Sequence, residues 1–125
     1  MDTREALKSR RSIRVFDNKA IPKKEIEEII DAARYAPTAR NVQPWHFIAI
    51  ADKDKLKEIG RLASDNASFI SNCAACIAVF CQDTKYYLED GCAATVNILL
   101  CAHSLGIGSC WVAADKKPYC GLISK

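Results

Sequence analysis

The most constraining feature of this sequence is a long apolar segment in its second half. The run CAATVNILLCAHSL, which follows Gly91, contains no Asp, Glu, Lys or Arg. Together with the residues before it, the run predicts a helix over residues 86–105 that Gly106 ends. A helix that is apolar on nearly every side must be surrounded by other elements or buried between subunits. The rest of the chain therefore has to cover this helix, alone or in an assembly.

The length and composition fit one ordinary globular domain over residues 1–125, with 50% hydrophobic and 26% charged residues. Eighteen basic and fifteen acidic residues give a net charge of +3, which is too small and too dispersed to indicate nucleic-acid binding. No apolar run reaches the roughly 18 residues that a membrane span needs, and the amino terminus lacks a signal-peptide pattern. We therefore expect a cytoplasmic protein without a nucleic-acid or membrane partner.

Apolar residues recur at helical spacing, or in short β-branched runs, along the rest of the chain. Helices are predicted over residues 3–9, over a segment that Pro22 opens and Pro37 ends, and over residues 53–63. Strands are predicted over residues 12–16, 45–51, 73–81 and 108–113, and the second and third of these are expected to be buried. The predicted fold class is α/β (α+β), with helices packed against a mixed central sheet.

Residues 10–14, called the arginine segment below, gather three guanidinium groups and one hydroxyl. Arg10, Arg11 and Arg14 carry planar forks that pair with phosphate oxygens, and Ser12 adds a donor. The segment alone is equally typical of a solvated helix end, where cations meet the helix dipole. It indicates a local anion site only in company with other signals.

Residues 37–45, PTARNVQPW, form a proline-bounded segment called the amide loop below. Its Asn and Gln side chains each supply a donor and an acceptor, which suits the edge of a ring bearing carbonyl and N–H groups. The alternative is an ordinary turn in which Asn41 and Gln43 cap backbone groups. The residues alone do not decide between the two.

Three segments in this order resemble the FMN-dependent nitroreductase family: RRSIRVF, AARYAPTARNVQPWHF and AHSLGIGSCWVAA. The resemblance implies a homodimer with flavin at its interface. It implies that Arg10, Ser12 and Arg14 bind phosphate or ribityl oxygens, Arg11 partly through its backbone. The amide loop of the partner copy would approach the flavin ring with Pro37, Thr38, Ala39 and Asn41. Residues 110–114, with Trp111, Val112 and Ala113, would reach flavin N5 and O4 through backbone amides.

The same resemblance implies a reaction in which NADH or NADPH reduces FMN and leaves before an electron-poor acceptor, such as a nitroaromatic or a quinone, takes the electrons. The cofactor supplies the difficult chemistry, so no catalytic acid or base and no metal is expected in the chain. A cation near flavin N1 and O2 would stabilise the reduced ring. Arg14 and Arg40 are both candidates for that cation.

Relatives of this kind continue beyond the point where this sequence stops, so we expect the domain to be truncated at its carboxyl end. Residues 115–120 look like the start of a further helix. The alternative function is therefore a flavin-binding remnant that holds the cofactor without turnover. A shortened phosphate site would bind FMN more weakly and with greater salt sensitivity.

Seven cysteines suggest a third hypothesis, a thiol or metal protein. Cys73 and Cys76 form a CxxC, but it precedes an apolar strand rather than a helix, so buried thiols are the expected reading. His103 on the apolar helix is expected to be a satisfied core or interface residue. Glu89 and Asp90 are expected to be structural, at the positive end of that helix.

Overall fold

The computed structural model describes residues 1–115, 117, 119 and 120. Within these residues lie four α-helices and two β-strands: α1 (Thr3–Ser9), α2 (Lys23–Ala33), β1 (Trp45–Ile50), α3 (Lys53–Leu62), β2 (Cys76–Cys81) and α4 (Tyr87–Ser104). The fold is α+β, and the predicted fold class is confirmed.

Helix ends follow from local side-chain and backbone chemistry. Asp2 accepts a hydrogen bond of 2.9 Å from the Glu5 amide and so caps α1, whereas Asp52 caps α3. The long helix α4 ends where Gly106 adopts a left-handed φ of 79°, and the Ile107 amide returns to the Ala102 carbonyl at 2.9 Å. Gly106 is thus the helix-ending residue, as predicted.

The main core lies where α4 packs against α2 and the sheet. Ile29 and Ala33 of α2 are buried against Ala94 and Ile98 of α4. The Asn97 side chain, half-buried within this contact, donates a hydrogen bond of 3.0 Å to the Ala32 carbonyl. Among the described residues, none of the helices combines the length and hydropathy that crossing a bilayer requires.

The sheet consists of β1 and β2, which pair antiparallel with Trp45 opposite Cys81 and Ile50 opposite Cys76. The prediction that both strands are buried is wrong. On β1, Ile48 is 51% exposed, because the described helices cover only one face of the strand. Every residue of β2 is half-buried, and within the described part of the chain its second edge has no strand beside it.

The strands predicted over residues 12–16 and 108–113 do not form. The two segments meet at a single parallel bridge between Ser12 and Ser109. A strand needs a ladder of successive pairs. Here the segments share only that bridge, and Val15 is 89% exposed. The β-branched composition of the first segment is compatible with a strand, but in the described structure the segment pairs at one position only.

A second core lies under α3, around the buried Leu56, Ala63 and Ile70. Gly60 allows this packing, because a Cβ at this position would overlap the Ser71 hydroxyl and lie 2.7 Å from the Ser71 amide nitrogen. The short 3-10 turn Ser68–Asn72 thus approaches the backbone of α3 directly.

Replacing Gly60 by Ala should destabilise the protein, although Ala is the better helix former. The new methyl group meets backbone, which cannot move as a flexible side chain can, and such overpacking costs about 1 to 3 kcal/mol. Urea unfolding followed by circular dichroism measures the change. Lys57→Ala, an exposed substitution in the same helix, is the control and should change stability by about 0.5 kcal/mol or less. Equal stability of both variants would contradict the close approach.

Candidate functional site

The arginine segment directly follows α1, and its three guanidinium groups have different surroundings. The Arg11 Nη1 atom donates hydrogen bonds of 2.8 Å to the carbonyls of Lys8 and Arg10, so this side chain folds back on the end of α1. Arg10 is half-buried and Arg14 is exposed. Within the described residues, no carboxylate forms an ion pair with any of the three. Arg10 and Arg14 are therefore the side chains available to an anion.

The arginine segment lies beside residues 109–114, called the tryptophan segment below. The Ile13 amide donates a hydrogen bond of 2.9 Å to the Ser109 carbonyl, next to the Ser12–Ser109 bridge. Gly108 permits this approach, since a Cβ there would lie 3.1 Å from the Ile13 side chain. The structure thus brings together two of the three segments that the sequence singles out.

The tryptophan segment lines a cavity of about 1170 Å³ that extends to β2 and α4. Trp111 is 40% exposed, Val112 packs on the second core, and Ala113 is exposed. The cavity is bordered mainly by apolar residues. An apolar cavity of this size suits a planar apolar ligand.

The amide loop has an unusual backbone. Arg40, Asn41 and Gln43 have φ values of 54°, 56° and 53°. Non-glycine residues at positive φ are uncommon and cost free energy of order 1 kcal/mol or more each, so the surrounding contacts must hold them. In an exposed loop, three such residues within four positions indicate a shape that is kept for a purpose other than stability.

Asp90 supplies the contacts that hold the loop. Its carboxylate, 5% exposed, accepts hydrogen bonds from the Thr38 hydroxyl at 2.8 Å and from the Ala39 amide at 3.2 Å. The Thr38 hydroxyl in turn accepts a hydrogen bond of 3.0 Å from the backbone amide of Gln43. Sequence reasoning assigned Asp90 only to the helix terminus and missed this role. An acid placed directly before a long run without charges is the one signal that pointed to it.

The amide side chains of the loop border a shallow concavity of about 710 Å³. The Gln43 Nε2 atom donates to the Asn41 Oδ1 atom at 3.1 Å, so the two amides are held together. His46 and Trp45 lie at the same surface. The Gln43 Nε2 atom also donates to the Asn41 backbone carbonyl at 3.4 Å, which is the kind of backbone contact that the turn hypothesis predicts.

The amide loop and the arginine segment lie at opposite ends of α4. The loop bonds to Asp90 in the first turn, whereas α1 meets the last turn through a 2.7 Å hydrogen bond between the Ser9 hydroxyl and His103 Nε2. Asp90 and His103 are separated by about 20 Å at the usual helical rise. One chain therefore does not bring the amide loop to the arginine segment. The His103 ring is satisfied by its serine partner, as expected.

The two cysteines of the CxxC motif belong to a packed environment. Cys73 ends the 3-10 turn and donates to the Ile70 carbonyl at 3.1 Å, and Cys76 begins β2. Burial, with a smaller effect from Cys73, raises the pKa of the Cys76 thiol to about 11. Redox-active thiols need the opposite shift, because the thiolate is the nucleophile. The surroundings thus favour the buried-thiol hypothesis over the redox one.

Cys76 should react slowly with iodoacetamide at pH 8 in the folded protein. A pKa near 11 instead of 9.0 leaves roughly a hundredfold fewer thiolates. Mass spectrometry of timed samples gives the rate, with fragment ions separating Cys76 from Cys73. The same protein in urea is the control and should react at the rate of an ordinary thiol. Similar folded and unfolded rates would contradict the burial of this thiol.

The arginine segment, the apolar cavity beside it and the amide loop at the start of the long helix α4 together define a nitroreductase-like α+β protein. The model of the Nitroreductase family matches residues 7–82 of the sequence. The chain belongs to the nitroreductase family.

Curated and solved relatives agree with this membership. A protein of Archaeoglobus fulgidus with the provisional name NADH dehydrogenase/NAD(P)H nitroreductase is 43% identical over 111 residues, which are 83% of this chain and 63% of that protein. An FMN-dependent nitroreductase of Clostridium difficile superposes with a TM-score of 0.88 at 31% identity, over 94% of this chain and 69% of that one. A Bacteroides fragilis nitroreductase solved with bound FMN gives 0.80 at 27% identity, over 95% and 75%.

The chain spans about three fifths of the length of the first two curated relatives, namely 63% and 60%. The predicted start of a further helix over residues 115–120 lies partly outside the described residues.

Proposed function

We propose that this chain binds FMN in a site formed by two copies and passes two electrons from NADH or NADPH to electron-poor acceptors such as nitroaromatics and quinones. The observation that carries the proposal is the pairing of the arginine segment with the tryptophan segment through Ser12 and Ser109. A charged segment suited to the phosphate and a cavity wall suited to the ring are thereby joined in one surface. The names of the solved relatives support the choice of FMN.

The residues present fit the phosphate and ribityl end of FMN. Arg10 and Arg14 are not paired with carboxylates in the described part of the chain. Ser12 is exposed and adds a hydroxyl donor. Charge-assisted bonds from guanidinium to phosphate are about twice as strong as neutral hydrogen bonds. These groups would hold the phosphate, while Arg11 secures the end of α1 from which they extend.

The ring end needs the second copy. A two-fold axis across the middle of α4 places the Asp90 end of one copy beside the His103 end of the other, because the two helices then run antiparallel. The amide loop of one copy thereby reaches the arginine segment of its partner. Val96, midway along α4, is 42% exposed and would meet its counterpart at the axis. The exposed loop residues would then be covered by the partner copy.

FMN, when bound, supplies the ring that accepts a hydride and gives up electrons. The chain's own groups position that ring and exclude other orientations. Backbone amides of the tryptophan segment would donate to its polar edge, and the amide side chains of Asn41 and Gln43 offer a donor and an acceptor each. Arg14 or Arg40 would place positive charge near the reduced ring, where developing negative charge is stabilised.

Two measurements test the function. Purified protein is titrated with FMN under flavin-fluorescence detection, and the complex is then mixed anaerobically with NADH or NADPH. We expect tight enough binding to saturate at tens of micromolar FMN, loss of the oxidised-flavin absorbance with a nicotinamide, and its return with menadione or nitrofurazone. Bound flavin that neither nicotinamide reduces would support the non-catalytic remnant instead. No binding at all would refute the proposal.

A further inference from the structure

We propose that Asp90 and Thr38 act as a clamp, a pair of positioning residues that hold the amide loop in its ligand-competent shape before any ligand arrives. The expected effect of the clamp on flavin affinity rests on the proposed function. The clamp itself rests on the contacts, burial and backbone angles of this chain alone. The resemblance implies that Thr38 lies near the flavin ring, and the clamp gives its hydroxyl a separate role that is present before any ligand binds.

The clamp is a chain of three hydrogen bonds that crosses the base of the loop. Asp90 accepts from the Thr38 hydroxyl and from the Ala39 amide through different carboxylate oxygens. The Thr38 oxygen uses a lone pair to accept from the Gln43 amide. One hydroxyl therefore ties the start of the loop, its end and the first turn of α4 together.

Burial makes this chain of bonds selective for one loop shape. Asp90 is 5% exposed, so its charge lacks free access to water as a substitute for the loop donors. A loop conformation that removes these donors would leave a buried carboxylate without hydrogen bonds, which costs free energy. The conformation that keeps the donors in place is therefore favoured. The loop is also anchored at its far side by Pro44, which is fully buried and whose carbonyl accepts from the Gln82 amide at 2.9 Å.

The clamped region is the part of the chain with left-handed backbone. Arg40, Asn41 and Gln43 would relax to ordinary φ values if the loop were released, because each is disfavoured where it is. The clamp thus opposes a local preference of the sequence. In terms of binding, only the fraction of molecules with the loop in its competent shape contributes affinity, and a smaller fraction raises the apparent Kd in proportion.

The test compares Thr38→Val, which removes the hydroxyl at constant shape, with Thr38→Ser, which keeps it. The first readout uses ligand-free protein: hydrogen exchange at the amides of Ala39 and Gln43. The second readout is the Kd for FMN and for riboflavin. We expect Thr38→Val to speed exchange at both amides and to weaken FMN and riboflavin by the same factor, about tenfold. Thr38→Ser should stay within about twofold of the parent.

Thr95→Val is the matched control for general damage to α4. The half-buried Thr95 hydroxyl donates to the Gly91 carbonyl at 2.8 Å within the same helix, and among the described residues it forms no hydrogen bond with the loop. This variant should lose some thermal stability and leave hydrogen exchange at the backbone amides of Ala39 and Gln43 unchanged. Asp90→Asn keeps an acceptor for the Ala39 amide but loses the charge, and should lie between the two threonine variants.

Unchanged exchange at Ala39 and Gln43 in Thr38→Val would overturn the clamp, whether or not flavin binds. Faster exchange without any change in Kd would overturn its role in ligand binding. A parent protein that binds no flavin would instead refute the proposed function, and the exchange measurement would still decide whether the clamp exists. Equal effects from Thr95→Val would show general destabilisation and would also overturn the inference.

Discussion

Replacing Arg10 and Arg14 by Ala should weaken FMN binding by roughly tenfold to a hundredfold for each substitution, and riboflavin binding hardly at all. Each guanidinium makes charge-assisted contacts to phosphate worth about 1.5 to 3 kcal/mol, and riboflavin lacks the phosphate. Fluorescence titration with both ligands gives the two Kd values. High salt should weaken FMN binding by the parent protein, because the arginine segment is largely exposed and its charges are screened.

Arg11→Ala is the matched control for this experiment. Its guanidinium is occupied by the carbonyls of Lys8 and Arg10. The substitution should loosen the end of α1 and change the ratio of the FMN and riboflavin Kd values much less than the other two. Equal losses of FMN and riboflavin in the Arg10 and Arg14 variants would mean that these side chains do not bind phosphate.

Val96→Glu should convert the protein to a monomer and abolish flavin binding. At the two-fold axis proposed above, each copy would place a charge against the same charge of its partner in an apolar interface, and buried like charges cannot be compensated there. Sedimentation velocity gives the oligomeric state, and fluorescence titration gives the loss of FMN. The loss follows because the amide loop of the partner no longer reaches the arginine segment.

Ile48→Glu controls for the introduction of a charge on an exposed apolar residue. Ile48 is 51% exposed on β1, away from α4. This variant should keep the oligomeric state and the FMN affinity of the parent. A monomeric Val96→Glu protein that still bound FMN tightly would contradict the shared site, and a parent protein that is itself a monomer with bound FMN would do the same.

Helices were predictable from this sequence because their signals are local. Residues 3–9 were predicted and Thr3–Ser9 is observed, with Asp2 at the cap, and α3 ends one residue before the predicted limit. Strands depend on partners that the sequence does not name. The composition of residues 12–16 is that of a strand, yet pairing stops after the Ser12 bridge. Propensity describes what a segment tolerates, and neighbours decide what it becomes.

The candidate site divides in the same way. Residue types alone indicated an anion site at the arginine segment and a polar loop at residues 37–45. They did not show that the Arg11 guanidinium donates to backbone carbonyls at the end of α1, nor that Asp90 holds the loop. The Thr38–Asp90 contact joins residues 52 positions apart, and no periodicity or spacing reports such a pair. The two-ended layout of α4 likewise emerges only from the packed structure.

The contact between Ser9 and His103 has a consequence for the order in which this protein is made. Ser9 and the arginine segment leave the ribosome early, yet His103, the partner of Ser9, follows 94 residues after it, and Ser109, the partner of Ser12, follows 97 residues after it. At about 5 to 20 residues per second, the segment waits roughly 5 to 20 s for them. A nascent chain that stops short of Ser109 therefore carries the arginines in its sequence but has no means of placing them.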